Sequence, residues 1–533
     1  MPPASLRSRC LAAAAVVTAA GLAVTSCSSG GDASGAHQKP RHSVPSGPQP
    51  VKGISGTGLG LGKPMPAPSF HQPVEQPNLL MITVDDASWN TMKYMPHLRH
   101  LVADRGLTLR NGLAPTPICV PARASLLSGQ YAHNHGAVTI NGEGGGVAAF
   151  DEHRTLPVWL QKAGYRTMFV GKYLNGYGEQ DAPTHVPPGW SSWHATVDPT
   201  TYNFVRPTVN SNGRTHTYHR YSTNVLSDIS NRLLDRRSTR HKPWYMWVNY
   251  VAPHHGGPTA PDDPASLYPD DPNPVSTTTP ARRDAGTFSW LDLNKKPDMF
   301  EKDTSDKVII RATHDRWPAY RRNELKIAFQ QRVESLQAVD RALARTFRTL
   351  RKIHQLRRTY VVFTSDNGYV LGEHNLTGKL WYFRDISGIP MYIRGPGLPR
   401  GRVSRTPVTN ADWAPTFAAL AGARPTRKVD GVNVMPWLTS GARARPVPIE
   451  GYPVKGGLTP LYTGIIDGPW TWVQGRSGRG ELYRRTVDPY QNHNLVKDPR
   501  YQEQKRKLRK MTARYRDCAG TSGGTACPTD FYR

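Results

Sequence analysis

A doubly wound α/β sheet with a smaller C-terminal α+β subdomain is the architecture that this 533-residue sequence predicts. Two observations carry it. Runs of apolar and β-branched residues recur along the chain and stop abruptly at polar groups, as buried parallel strands do. Helical stretches alternate with these runs, which is the order of a βαβ sheet. In such sheets ligands bind at the carboxyl ends of the strands. The polar groups that close each run are therefore the candidate functional residues.

The first strand lies in PNLLMITVDD (77–86), where six apolar or β-branched residues (79–84) lead to Asp85 and Asp86. LPVWLQKAGY (156–165) reads as a helix stopped by Gly164, and TMFVG (167–171) as the strand after it. PWYMWVNYVAPHH (243–255) is another buried strand ending in polar groups. Residues 256–320 are rich in Pro and Asp and lack a period, so they read as a long functional or disordered loop. A long helix is predicted from residue 323 to about 351. TYVVFTSDNG (359–368) repeats the strand-then-carboxylate design. The main domain is thus assigned to 75–440 and the subdomain to 441–533. In the latter, TGIIDGPWTWVQG (463–475) and ELYRRTVDP (481–489) read as antiparallel strands with a turn, and YQEQKRKLRKM (501–511) as a basic helix.

The N-terminus is a targeting segment. Arg7 and Arg9 precede an apolar run, 11–24, that is too short to span a bilayer and has the flanks of a signal peptide. The run ends VTSC, so residues 1–27 read as an export signal with a lipoprotein cleavage box and Cys27 as the lipidation candidate. A plain secretory signal is the alternative. Residues 28–74, rich in Gly, Ser and Pro, read as a flexible tether. The chain is expected to be exported, as a cell-surface lipoprotein or a secreted protein, touching membrane only through a lipid anchor. Cys10 lies within the signal. Cys518 and Cys527 are predicted to form a disulfide, because C-x8-C without histidines is a poor zinc site. Cys119 is left over, and an odd thiol in an exported protein marks a reactive or modified residue. The net charge of +28 suits acidic polymers or anionic substrates. No nucleic-acid-binding signature accompanies it, so nucleic acid is not an expected partner.

Asp85 and Asp86 close one strand, Asp366 and Asn367 another. Three carboxylates and an amide oxygen are a hard, all-oxygen donor set suited to Ca²⁺ or Mg²⁺. Cys119 precedes Pro121, which suits a first helical turn, and Gly129 suits the helix end. Arg123, four residues on, shares a helical face with Cys119. A lowered-pKa thiolate is one use of such a position. A thiolate beside a hard cation is a mismatch, however, which points to an oxygen as the working atom at 119.

CVPAR with its trailing LLSG (119–129) resembles the signature of type I sulfatases, in which this cysteine is oxidised to Cα-formylglycine (3-oxoalanine). GYRTMFVGKYL (164–174) matches a second element of that family. APHH (252–255), TSDNGYVLGEHNLTGKLWYF (364–383), ADWAPTFAALAG (411–422), DGVNVMPWL (430–438) and ELYRRTVDPYQNHNL (481–495) resemble later landmarks, so the similarity runs from about residue 76 to the C-terminus. GKYLNGYG looks most like the N-acetylglucosamine-6-sulfatase branch. The resemblance implies an alkaline phosphatase-like fold and a calcium ion held by Asp85, Asp86, Asp366, Asn367 and the oxidised Cys119. It also implies Lys172, Asn175, His254 and Lys379 at the substrate sulfate, with Lys379 or His254 as the acid for the leaving oxygen. Four positions depart from the family pattern. Val120 replaces a small residue. Leu174, followed by Asn175, stands where many members have histidine. Arg384 and Gly388 stand where many have Glu and Arg.

What the resemblance implies is a sulfuric ester hydrolase acting on a sulfated sugar or aryl ester. A formylglycine-generating enzyme would be its maturation partner. A phosphonate or phosphate ester hydrolase on the same fold, and a non-catalytic lipoprotein that binds acidic glycans, are the competing readings.

Overall fold

The computed structural model of the chain describes residues 75–260, 263, 275–310, 319–440, 444–454, 456–516 and 518. Cys27 and Cys527 lie outside the described residues, as do the whole signal and tether. No helix among the described residues is long and apolar enough to cross a membrane.

A ten-stranded mixed sheet forms the centre. Its spatial order is Arg402–Ser404, Leu107–Leu109, Met391–Arg394, Thr359–Ser365, Asn78–Val84, Trp244–Asn249, Arg166–Gly171, Ser192–Thr196, Thr208–Ser211, Thr215–Thr217. The strands from Thr359–Ser365 through Ser192–Thr196 run parallel in that order, and antiparallel pairs flank them on both sides. The sequence predicts the parallel centre. It does not predict the short antiparallel edges, whose runs of three or four residues carry no readable period.

Burial on both faces explains the unbroken apolar runs. In the first strand Leu79 and Met81 pack with Trp159, Trp413 and Phe417 on one face. Leu80, Ile82 and Val84 pack with Leu226, Leu336 and Phe347 on the other. Each such side chain contributes about 1.5–3 kcal/mol by leaving water. Helices Cys119–Ser128, Leu156–Lys162 and Trp413–Ala421 cover the first face, and Ser222–Asp235 and Ala319–Lys352 the second. Helices on both faces are the doubly wound arrangement. The stretch 275–310 contains no helix or strand.

The C-terminal sheet is a separate antiparallel meander, Val447–Gly451, Tyr462–Asp467, Trp470–Gly475 and Gly480–Arg484. Helix Gln502–Arg516 covers one face through Leu508, Met511 and Tyr515. The other face, with Val447, Ile449 and Tyr462, packs on Tyr382 and Phe383. The Tyr462 hydroxyl donates to the Leu380 carbonyl at 2.6 Å, so this sheet supports the loop that carries Lys379.

Gly171 ends the strand before Lys172 at φ 112°, and a Cβ there would lie 1.9 Å from the Asn249 carbonyl oxygen. Gly171→Ala is expected to lower unfolding stability by about 2 kcal/mol or more. A guanidinium melt that superposes on the native one would refute this.

Candidate active site

The candidate residues converge at the carboxyl ends of the central parallel strands. Asp85 and Asp86 follow Asn78–Val84, Lys172 follows Arg166–Gly171, and Asp366 and Asn367 follow Thr359–Ser365. His254 lies five residues beyond Trp244–Asn249. Cys119 is the first residue of its helix, with Pro121 in the first turn, and Gly129 closes the helix at φ 71°. Cys119, Arg123, Asp85, Asp86, Asp366, Asn367, Lys172 and His254 are all buried.

Cys119 Sγ lies 3.6 Å from Asp85 Oδ1 and accepts from Lys379 Nζ at 2.9 Å. Lys379 also binds Asp86 Oδ1 at 2.6 Å, and Lys172 Nζ binds Asp85 Oδ2 at 2.5 Å. Arg123 ties three elements together. Its Nε meets Asp366 Oδ2 at 2.9 Å, one terminal nitrogen donates to the Lys172 carbonyl at 2.9 Å, and the other stands 3.3 Å from Asp85. His254 Nε2 is 3.5 Å from Asp86 Oδ2.

Burial alone would raise Asp85, but Lys172, His254 and Arg123 outweigh it and hold that carboxyl well below the usual range. Lys379 and His254 likewise hold Asp86 at about 2 against burial. Asp366 goes the other way. Burial and the neighbouring Asp85 charge raise it to about 7, even beside Arg123. Burial and Asp85 push the Cys119 thiol up to about 12. Burial holds His254 well below its ordinary value.

The donor atoms of Asp85, Asp86, Cys119 and His254 lie within 4.8 Å of one another. This set is compatible with a metal ion and brings in His254, for which the family resemblance implies a place at the substrate. Asp366 and Asn367 join through Asp86. The Asp86 amide donates to Asp366 Oδ1 at 3.1 Å, and Asn367 Nδ2 to Asp86 Oδ1 at 2.7 Å. Asp86 Oδ2 and Asn367 Oδ1 are buried without a hydrogen-bond partner. Two orphaned oxygens and a carboxylate raised by burial and like charge are what a hard divalent cation would relieve. The donor set therefore fits such an ion.

Asn175 reaches the cluster indirectly, by donating to the Tyr202 hydroxyl at 2.8 Å. Tyr202 is a residue that the sequence reading missed. Its ring centroid is 4.8 Å from Lys172 Nζ and 4.7 Å from the His254 ring centroid. His374 binds Glu301 at 2.6 Å and stacks on Phe383, His133 binds Glu450, and His135 meets Ser125.

Arg332 was missed too. It is buried on helix Ala319–Lys352, lies 4.1 Å from the Tyr369 ring and donates to the Asp86 carbonyl. Asp86 has φ 67°, a left-handed conformation that costs a non-glycine residue about 1–3 kcal/mol. Arg332 thus anchors a strained backbone beneath the metal-compatible oxygens. Arg332→Met is expected to lower unfolding stability by about 1–3 kcal/mol, the scale of that strain and of an orphaned carbonyl. A denaturant melt that superposes on the native one would show that Asp86 holds its conformation without it.

Solved structures share this architecture. One, of a protein in complex with its substrate D-glucosamine-2-N,6-O-disulfate, superposes with a TM-score of 0.65 at 21% identity, over 82% of this chain and 97% of that one. A phosphonate monoester hydrolase of Agrobacterium radiobacter superposes at 0.62 and 19% identity, over 81% and 94%. These likenesses establish the fold. The sulfatase family profile matches residues 77–423, and the chain belongs to that family. Human N-acetylglucosamine-6-sulfatase is 30% identical over 379 residues, 68% of this chain and 64% of the human protein. An extracellular sulfatase SULF-1 homolog of Drosophila melanogaster is 31% identical over 383 residues, 69% of this chain and 32% of the fly protein. The chain thus spans between about a third and two thirds of these relatives' lengths.

Proposed function

We propose that this chain hydrolyses sulfate esters through residue 119 in its formylglycine form, with 6-O-sulfated glucosamine units as the favoured substrate class. The observation behind this reading is the placement of Cys119 at a helix start, 2.9 Å from Lys379 and 3.6 Å from Asp85, within a cluster of hard oxygens. As a thiol, residue 119 is a poor nucleophile there and a poor ligand for a hard cation. As an aldehyde hydrate it would offer two hydroxyls.

One hydroxyl attacks sulfur in line, and the alcohol departs with the proton that His254 or Lys379 supplies. Deprotonation of the second hydroxyl then expels sulfate and restores the carbonyl. Water rehydrates it, which closes the cycle. Arg123 fixes Asp85 and Asp366 beside the reacting atom, and Lys172 and Lys379 hold the sulfate oxygens. Asn175 acts through Tyr202. Asp85, Asp86, Asp366, Asn367 and the residue-119 oxygen would hold Ca²⁺, with Mg²⁺ as the alternative ion. That ion would supply positive charge to acidify the attacking hydroxyl and steady the sulfate.

Family membership, the name of the human relative and the glucosamine disulfate bound in the structural neighbour support a sulfated-sugar substrate. The signal-like N-terminus supports export, by a lipid anchor at Cys27 or as a free protein, and a formylglycine-generating enzyme would have to act on the chain first.

The deciding measurement is the mass of the tryptic peptide 111–123 from protein made in its native host. The expected result is a side chain with an aldehyde, or its hydrate, in place of the thiol. An unmodified thiol in an active preparation would overturn the mechanism. Faster turnover of a phosphonate monoester than of an aryl sulfate would move the substrate class to phosphorus esters.

A further inference from the structure

Away from the catalytic cluster the structure holds a cavity of about 460 Å³, within the ~300–1,000 Å³ range of ligand pockets. Residues 292–300 form part of its wall, and the start of helix Ala319–Lys352 forms the rest. Lys295, Lys296, Arg322 and Lys326 line it, with Asp292 as its carboxylate. Lys296 is already neutralised by Glu373 at 2.6 Å and by Asp385. No carboxylate pairs with Lys295 or Lys326 among the described residues. Arg322 stands 4.7 Å over the Phe300 ring, which holds its charge at the wall.

Trp290 adjoins this segment and is 72% exposed. Its backbone is anchored, because Gln330 Nε2 donates to the Ser289 and Leu291 carbonyls at 2.8 and 2.6 Å. Leu291 is buried against Leu325 and Phe329. Gln330 lies one helical turn beyond Lys326, so the backbone that carries Trp290 is anchored close to the basic wall. A large aromatic ring held in water on a fixed backbone, beside uncompensated ammonium groups, is an arrangement with a ligand to fit. The flat C–H face of a pyranose packs on an indole, and its sulfate or carboxylate pairs with lysine.

We propose that this cavity and Trp290 form a binding subsite for an anionic sugar unit of a sulfated glycan, separate from the catalytic cluster. Leu293, Asn294 and Met299 also line a narrow cleft that reaches Arg332 and Tyr369. The subsite therefore borders the catalytic end of the sheet without using any residue of the cluster. A polymer held here would stay close to the site between turnovers, which rests on the reading of the substrate as a sulfated glycan.

The test titrates the full-length protein with a heparin octasaccharide and with duplex DNA of equal charge. Fluorescence is read for wild type, Lys295→Ala/Lys326→Ala and Trp290→Ala. Each variant is expected to weaken octasaccharide binding about tenfold, while turnover of 4-nitrophenyl sulfate stays within about twofold of wild type. Octasaccharide binding equal to wild type in both variants overturns the subsite. DNA binding as tight as the octasaccharide's, weakened equally by the same lysines, makes the pocket a general polyanion surface and overturns the glycan assignment. If no sulfate ester is turned over yet both variants still weaken octasaccharide binding, the subsite stands and the sulfatase reading falls.

Discussion

Cys119→Ala is expected to lower kcat/KM for 4-nitrophenyl sulfate by about 10⁴-fold or more. Cys119→Ser is expected to release one equivalent of 4-nitrophenol and then stop. Both follow from the number of hydroxyls at one carbon. Alanine has none. Serine has one, so it can accept the sulfuryl group but cannot expel it. The stalled serine variant should carry one additional SO₃ unit on peptide 111–123, readable by mass. Neither change should unfold the chain, since Lys379 keeps its 2.6 Å partner Asp86 and Arg123 keeps Asp366. The competing thiolate reading fares poorly on the same geometry. A thiol pushed up to about 12 by burial and the neighbouring Asp85 charge stays protonated at neutral pH. Sustained turnover by Cys119→Ala at a tenth of the native rate would remove residue 119 from the chemistry altogether.

The parts of the fold legible in the sequence are those with a period or a punctuation mark. The parallel strands Asn78–Val84, Trp244–Asn249 and Thr359–Ser365 are buried on both faces, so they appear as unbroken apolar runs with their carboxylates or histidines just beyond. The helix at Cys119 was bounded by Pro121 and Gly129. The edge strands were not legible, because they are too short to show alternation and depend on neighbours distant in sequence. The same split runs through the site. Tyr202 sits in a single 3₁₀ turn without any local signal, and only the fold brings it against Lys172. Arg332 did leave a trace. It falls on the apolar stripe of its helix, among Leu325, Ala328, Phe329, Val333 and Leu336, and all of these are buried. A charged residue on a buried stripe needs a polar partner inside the protein, and here the partner is the Asp86 carbonyl. That departure from the stripe was the available clue, and reading the helix only for length passed over it.

Asp86→Asn is expected to cut turnover about 10³-fold, a loss of transition-state charge stabilisation, and to abolish thermal stabilisation by Ca²⁺. The substitution keeps the shape of the side chain and removes one charge. In the native chain Asp86 receives Lys379 and Asn367, faces His254, and leaves Oδ2 without a hydrogen bond. With asparagine there, Lys379 loses its carboxylate and the hard-oxygen set loses one of three anions. A ligand that binds only the folded state stabilises it by about 2.7 kcal/mol at a hundredfold its Kd. Native protein stripped with a chelator should therefore melt a few degrees higher when Ca²⁺ is restored, and the variant should not. This readout needs no turnover, so it tests the ion site independently of the sulfatase chemistry. A larger shift with Mg²⁺ would reassign the ion. A native-sized Ca²⁺ shift in the variant would remove Asp86 from the site. Acid gives a second check on the chelated proteins. Asp86 sits at about 2, below the ordinary 3.8, so its contribution is present above about pH 4 and is lost as the pH falls through about 2. The stability gap between native and variant chains should close over that interval, whereas a purely steric defect would leave it open.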